Sequence, residues 1–144
     1  MSRKLNGPNR FRALGQVSLG ALLATAGTGH LTFQRQEFRA QVPDWLRLDP
    51  DVVVLASGVV EIGLGSALLA TWKQPRRAFV GGTVAAFFVA IFPGNIAQLV
   101  NHTDAFGLDT DTKRAVRLAF QPLLVAWALA ATDSFRVLRN RRSA

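Results

Sequence analysis

The sequence contains no cysteine, no tyrosine, one methionine and two histidines among its 144 residues. Without cysteine this chain alone can carry no disulfide framework, no thiolate metal site and no dithiol chemistry. Two histidines and few carboxylates give little from which to build a protein-only metal cage, so no metal site is assigned. Acidic residues are also scarce: Asp and Glu number 9 against 17 Lys and Arg, a formal charge of +8. That excess would ordinarily suggest nucleic acid. Yet 49% of the residues are hydrophobic and 18% charged, and the mean hydropathy is +0.20. A DNA-binding domain this small does not usually carry half its residues as apolar, and no nucleic-acid partner is expected. The length allows one domain.

Charge is missing above all from four stretches, residues 13–29, 52–72, 78–101 and 115–132, interrupted only by Glu61 and Arg117. A helix needs about 20 mostly apolar residues to cross a bilayer, with roughly 17–25 tolerated. Helices of a water-soluble bundle would carry Lys and Glu on their outer faces. These stretches are apolar or small all the way round. They predict an all-α integral membrane protein, a four-helix antiparallel bundle. The first stretch follows Arg3, Lys4, Arg10 and Arg12 and passes through Ala24-Thr-Ala26, which also fits a signal peptide. Its richness in Gly, Ala, Ser and Thr, and its continuation to His30, favour a retained span.

Basic residues alternate between the connections. The tails 1–12 and 133–144 and the short loop with Lys73, Arg76 and Arg77 hold eleven of the seventeen Lys and Arg, with Asp133 as the one acid. The other two loops have more acids than bases. The positive-inside rule then places both termini in the cytoplasm and predicts a multi-pass protein of a bacterial inner membrane. Trp45 and Trp72 fall at the expected interfaces. In the first outer loop Leu31, Phe38, Val42 and Trp45 fall at helical spacing before Pro43 interrupts, predicting a short interfacial helix.

Small residues recur at four-residue spacing: Gly20, Ala24, Thr28; Gly63, Ala67, Thr71; Ala86, Ala90, Gly94; Ala126, Ala130. They predict close helix packing, with neighbours in sequence as neighbours in space. Polar side chains from every span converge on the outer half. Glu61 lies roughly 13 Å below the outer interface, at about 1.5 Å per residue, with Ser57 one turn above it. Asn95, Gln98 and His102 follow on the third span, Arg117 and Gln121 on the fourth, and His30 ends the first. An intramembrane carboxylate costs about 2.5–3.5 kcal/mol on insertion scales and needs a partner or a purpose. Two readings follow: a pocket for the polar head of a small amphiphile, or a structural cluster with a Glu61–Arg117 ion pair. Pro93 and Pro122 break the helical hydrogen-bond ladder beside this cluster and would widen it into a cavity.

Gly27-Thr-Gly-His30, Ser57-Gly-Val-Val-Glu61-Ile-Gly-Leu-Gly-Ser-Ala-Leu-Leu69, Phe92-Pro-Gly-Asn95 and Arg117-Leu-Ala-Phe-Gln121 stand in that order along the chain. In these pieces, from about residue 13 to 132, the sequence resembles the DoxX family of small four-span membrane proteins. The resemblance implies a four-helix bundle, carries over Glu61, Asn95, Arg117 and Gln121 as motif positions, and links the chain to sulfur and oxidative-stress metabolism.

The function expected on these grounds is a membrane subunit without catalysis of its own, binding quinone or lipid and serving an oxidoreductase or stress-response partner. Its candidate pocket is His30, Ser57, Glu61, Asn95, Gln98, Arg117 and Gln121; quinone is the candidate cofactor, and oligomers are compatible with the sequence. The alternative is a non-enzymatic anchor or assembly factor, docking another protein through its loops or its basic tail from Phe135 to Arg142.

Overall fold

The computed structural model describes residues 8–144, so Arg3 and Lys4 of the basic tail lie outside the described residues. The described residues are helical, without a strand. In order they form α1 (Arg10–Leu31), α2 (Arg35–Arg39), a 3-10 turn (Asp44–Leu46), α3 (Pro50–Ala70), α4 (Arg76–Ala90), α5 (Phe92–Val100), α6 (Asp111–Thr132) and α7 (Ser134–Arg142).

Helix starts follow from local chemistry. Orphan N–H groups of the first turn take side-chain acceptors. Asn9 accepts from Arg12 N at 2.9 Å, Asp49 from Asp51 N at 2.9 Å, and Thr110 from Lys113 N at 3.2 Å. Asp133, in the left-handed region at φ 59°, ends α6 and turns the chain into α7, so the basic tail from residue 133 is helical. The prolines act differently. At Pro93 the helix breaks, α4 ending at Ala90 and α5 beginning at Phe92, whereas Pro122 lies inside an unbroken α6.

Three helical segments are long and apolar enough to cross a membrane: Pro50–Ala70, Arg76–Val100 (α4 and α5 together) and Asp111–Thr132. Only 22–28% of their apolar windows is buried inside the protein, so most of that apolar surface faces outward. The expected first span is corrected in one respect. α1 has the length, 22 residues or about 33 Å, but its Gly, Thr, Gln16 and His30 keep it out of that apolar class.

The most extensive contact is antiparallel, α1 against α3, followed by α4 against α6; α1 also meets α6. α3 and α4 touch little, so sequence neighbours are not always spatial neighbours. The core between the pairs is Leu19, Leu23, Leu68, Val84, Ala85, Phe88 and Ala128. The small-residue spacing is also corrected. A Cβ on Gly65 would lie 2.6 Å from Gly20 O, and one on Gly27 would lie 2.6 Å from Gly58 O. The close approach therefore uses Gly20 and Gly27 against Gly58 and Gly65, seven residues apart on each helix. Gly63 has nothing within 4 Å, and Thr28, Ala86, Ala90, Ala126 and Ala130 are exposed. The reason is periodicity: seven residues make nearly two full turns, which keeps both glycines on one straight seam.

Between α1 and α3 the expected interfacial helix shrinks to the five residues of α2 and a separate 3-10 turn holding Trp45, because Leu31 is absorbed into α1. Arg35 binds Asp51 through two N–H groups, Nε at 2.6 Å, and fastens α2 to the start of α3.

Candidate functional site

A cavity of about 580 Å³ lies between the two helix pairs at the end where α1 finishes and α6 begins. Six of the seven expected residues line it: His30, Ser57, Glu61, Asn95, Arg117 and Gln121. Gln98 does not line it. That side chain is 2% exposed and turns toward the loop, with Nε2 3.3 Å from Thr103 O and 3.5 Å from Ala105 O. Exposed Leu22, Trp45 and Phe120 stand on the cavity wall, so it reaches the molecular surface.

His30 and Glu61 meet because the backbones beside them do. Gly58 sits three residues before Glu61, and a Cβ there would lie 2.7 Å from the Cβ of His30. The bare glycine lets the last turn of α1 press onto α3, bringing His30 Nδ1 to 3.3 Å from Glu61 Oε2. Both residues are 5% exposed. Neither imidazole nitrogen nor Glu61 Oε2 has a hydrogen bond of good geometry within the protein. Buried polar atoms are nearly always paired, so an unpaired set on a cavity wall is unusual and calls for a partner.

The remaining candidates divide. Asn95 Nδ2 donates to Gln121 Oε1 at 3.1 Å, and Gln121 Nε2 donates to Phe88 O at 2.8 Å. That carbonyl belongs to the last turn of α4, where the break before α5 removes helical partners. Asn95 and Gln121 therefore hold α5, α6 and the broken turn together. Arg117 lies across the cavity from Glu61, and the Glu61–Arg117 ion pair of the structural alternative does not form. α3 packs on α1, so Glu61 faces His30, whereas Arg117 faces the loops. Its Nη1 is 3.4 Å from Gln98 Oε1 and its guanidinium stands 5.0 Å from the Phe106 ring centroid. Gln41 Nε2 donates to the same Gln98 Oε1 at 2.7 Å, which sets the Gln41 amide beside the guanidinium.

Phe38, read in the sequence only as part of an interfacial helix, lies in α2, and Gln41 follows just after it; neither is assigned to the site by the sequence, because tertiary contacts alone bring this segment over the cavity. Phe38 meets His30 edge-on at 3.4 Å between centroids and Phe106 at 4.7 Å. His30, Phe38, Phe106 and Arg117 thus form a run of ring and cation contacts, of which His30, Phe38 and Arg117 line the cavity. Arg114 steadies the loop that carries Phe106. It is 5% exposed and binds Thr103 O at 3.1 Å, Asp111 at 2.6 Å and Asp104. Glu37 accepts from Phe106 N at 3.0 Å. His102 stands apart on the surface, 2.7 Å from Asp111.

A second buried polar layer lies at the opposite end. Gln16, fully buried, donates to Leu68 O at 2.7 Å and Thr71 O at 2.8 Å. Arg77 donates to Gln16 Oε1 at 3.0 Å and to Ala131 O at 2.9 Å. Gln74 donates to Thr132 O at 2.9 Å. A cation and two amides thereby satisfy carbonyls at the C-terminal ends of α3 and α6, where helix dipoles favour positive charge. Counted as a loop charge in the sequence, Arg77 is instead 2% exposed. Gln16, the one amide in an otherwise apolar run, was the available signal.

Among the described residues no group of three His, Cys, Asp or Glu side chains could hold a metal ion. No curated protein and no solved structure matches the chain. The resemblance to the DoxX family does not hold, because the family profile that matches is a different one. The fragments that suggested it are glycines, small residues and isolated polar groups, which any closely packed set of apolar helices needs. The matching profile covers residues 19–132, and the chain belongs to the family it describes, a domain of unknown function (DUF8561).

Proposed function

We propose that this chain is a multi-pass membrane protein of four spans, α1, α3, α4–α5 and α6. Its arginine-rich ends lie in the cytoplasm, and its cavity holds the hydrogen-bonding head of a lipid-like amphiphile. One observation carries the reading: His30 and Glu61, both nine-tenths buried, line a 580 Å³ cavity with three side-chain polar atoms that lack a hydrogen bond of good geometry. Such a pair offers a donor and an acceptor side by side, which suits a ligand carrying carbonyl or hydroxyl oxygens. The rest of the wall is mainly apolar, from Leu23, Val54, Phe88 and Leu124, and suits a hydrocarbon or isoprenoid body. A quinone combines both features, and is the ligand class we put first. Retention of α1 is supported by its share of the core, Leu19 at 0% and Leu23 at 2% exposure. Within this reading Asn95, Gln98 and Gln121 are structural, while His30, Glu61 and Arg117 face the ligand.

Trp45 on the cavity wall supplies the test. In a Trp72→Phe/Trp127→Phe background it is the only indole left, and a short-chain quinone titrated into the detergent-solubilised protein should quench it saturably. Glu61→Gln should weaken that quenching about tenfold, the loss of one charged hydrogen bond. Full-affinity quenching in both Glu61→Gln and Arg117→Ala would show that the site is elsewhere.

A further inference from the structure

The end of the molecule away from the cavity carries a second feature, a groove of about 680 Å³ between the start of α1 and the junction of α6 with α7. Its walls are Phe11, 88% exposed, Phe135, 65% exposed, and Trp127. Trp127 Nε1 donates to Gly15 O at 2.9 Å, which pins the indole against α1. Arg12 and Arg136 stand at the groove's end on a single carboxylate. Arg12 Nη1 is 3.1 Å from Asp133 Oδ2, and Arg136 binds the same oxygen. Two guanidiniums against one carboxylate leave a net positive charge. Their side chains are 40% and 65% exposed, so N–H donors remain available. Arg10 precedes them on α1, and Arg139, Arg141 and Arg142 follow on α7.

We propose that this groove binds one anionic phospholipid, its phosphate on Arg12 and Arg136 and an acyl chain along Phe11, Trp127 and Phe135. Three features favour this occupant. The arginines complement a phosphate that Asp133 only partly replaces. The trough also takes in Ala126 and Ala130 of α6, both exposed, a surface for hydrocarbon. An exposed indole and two phenyl rings beside arginines match the composition found where helices leave a bilayer. The inference rests on the membrane placement proposed above, and is independent of the cavity and its ligand.

The test uses the full chain in mild detergent, offered equal phosphatidylglycerol and phosphatidylcholine of the same acyl chains, with retained lipid read by native mass spectrometry. Wild type should retain phosphatidylglycerol preferentially. Arg12→Gln/Arg136→Gln should lose about fivefold of that preference per arginine removed. Arg141→Gln/Arg142→Gln removes the same charge outside the groove and should keep it. Asp133→Asn, whose side chain tolerates the left-handed backbone there, should strengthen retention by freeing both guanidiniums. Equal losses in the two double variants, or no preference in wild type, would overturn the proposal. Should the groove double variant fail to fold, Asp133→Asn decides: unchanged retention overturns the site. Alkaline extraction of the membrane fraction separates the two claims. Release of the chain overturns the membrane placement and the lipid with it, whereas a chain that stays in the membrane without lipid preference overturns the groove alone.

Discussion

Replacing Gly65 by alanine perturbs one of the two closest backbone approaches between α1 and α3. The added Cβ would lie 2.6 Å from Gly20 O and 2.8 Å from Ala24 N, both backbone atoms that cannot rotate away. Ordinary contact begins near 3.4 Å, so α1 and α3 must part by about 0.8 Å. A gap of that size forfeits about a quarter to a half of the dispersion energy of each contact along the seam, which includes fully buried Leu19 and Leu68. Overpacking of this kind costs about 1–3 kcal/mol. Alanine also gains about 0.8–1.0 kcal/mol of helix propensity over glycine, which must be subtracted. Gly63→Ala supplies the correction, since it makes the same exchange on the same helix with nothing within 4 Å. Thermal unfolding in detergent, followed by circular dichroism, should place Gly65→Ala about 1–3 kcal/mol below Gly63→Ala. At about 2–4 °C per kcal/mol the two midpoints should separate by several degrees. Equal midpoints would refute the glycine seam, and with it the account of how His30 reaches Glu61.

Other expectations follow from the polar layers and the topology. Arg77→Ala leaves Gln16 Oε1 and Ala131 O without their donor and should lower stability by about 1–3 kcal/mol; Arg77→Lys should rescue little, because one ammonium lacks the guanidinium's fork. Asn95→Ala and Gln121→Ala should be non-additive in a double-mutant cycle, with a coupling of about 0.6 kcal/mol and at most about 1.7. The absence of cysteine makes topology directly measurable: Ser143→Cys and Asp109→Cys, each the sole thiol in its variant, should be labelled by an impermeant reagent from opposite faces of intact membranes.

The helices were legible in the sequence because uncharged length is a one-dimensional signal, and the spans beginning near residues 52, 78 and 115 follow from it directly. α1 was less so: its length is right, but its small residues serve a seam with α3 more than contact with lipid. Which small residues touch depends on helix rotation, and four-residue spacing pointed to Gly63 and Ala126 when the contact uses Gly58 and Gly65. The convergence of polar residues on one end was legible by counting depth along each span. Their pairing was not, because Glu61 could be matched to Arg117 on charge alone while the α1–α3 contact gives it His30. Periodicity marks Phe38 as helical but says nothing of its place against His30, Gln41 follows in a turn without a pattern, and Arg77 reads as a surface charge because its partners Gln16 and Ala131 are distant in sequence.

The central claim is that the cavity beside His30 and Glu61 holds an amphiphile. Mild extraction of wild type and Glu61→Gln, followed by mass spectrometry of the organic molecules that co-purify, tests it most directly. A quinone or other amphiphile with oxygen at its head should accompany wild type and be lost from Glu61→Gln while the variant keeps its helical content. Identical co-purifying profiles from the two proteins would contradict it.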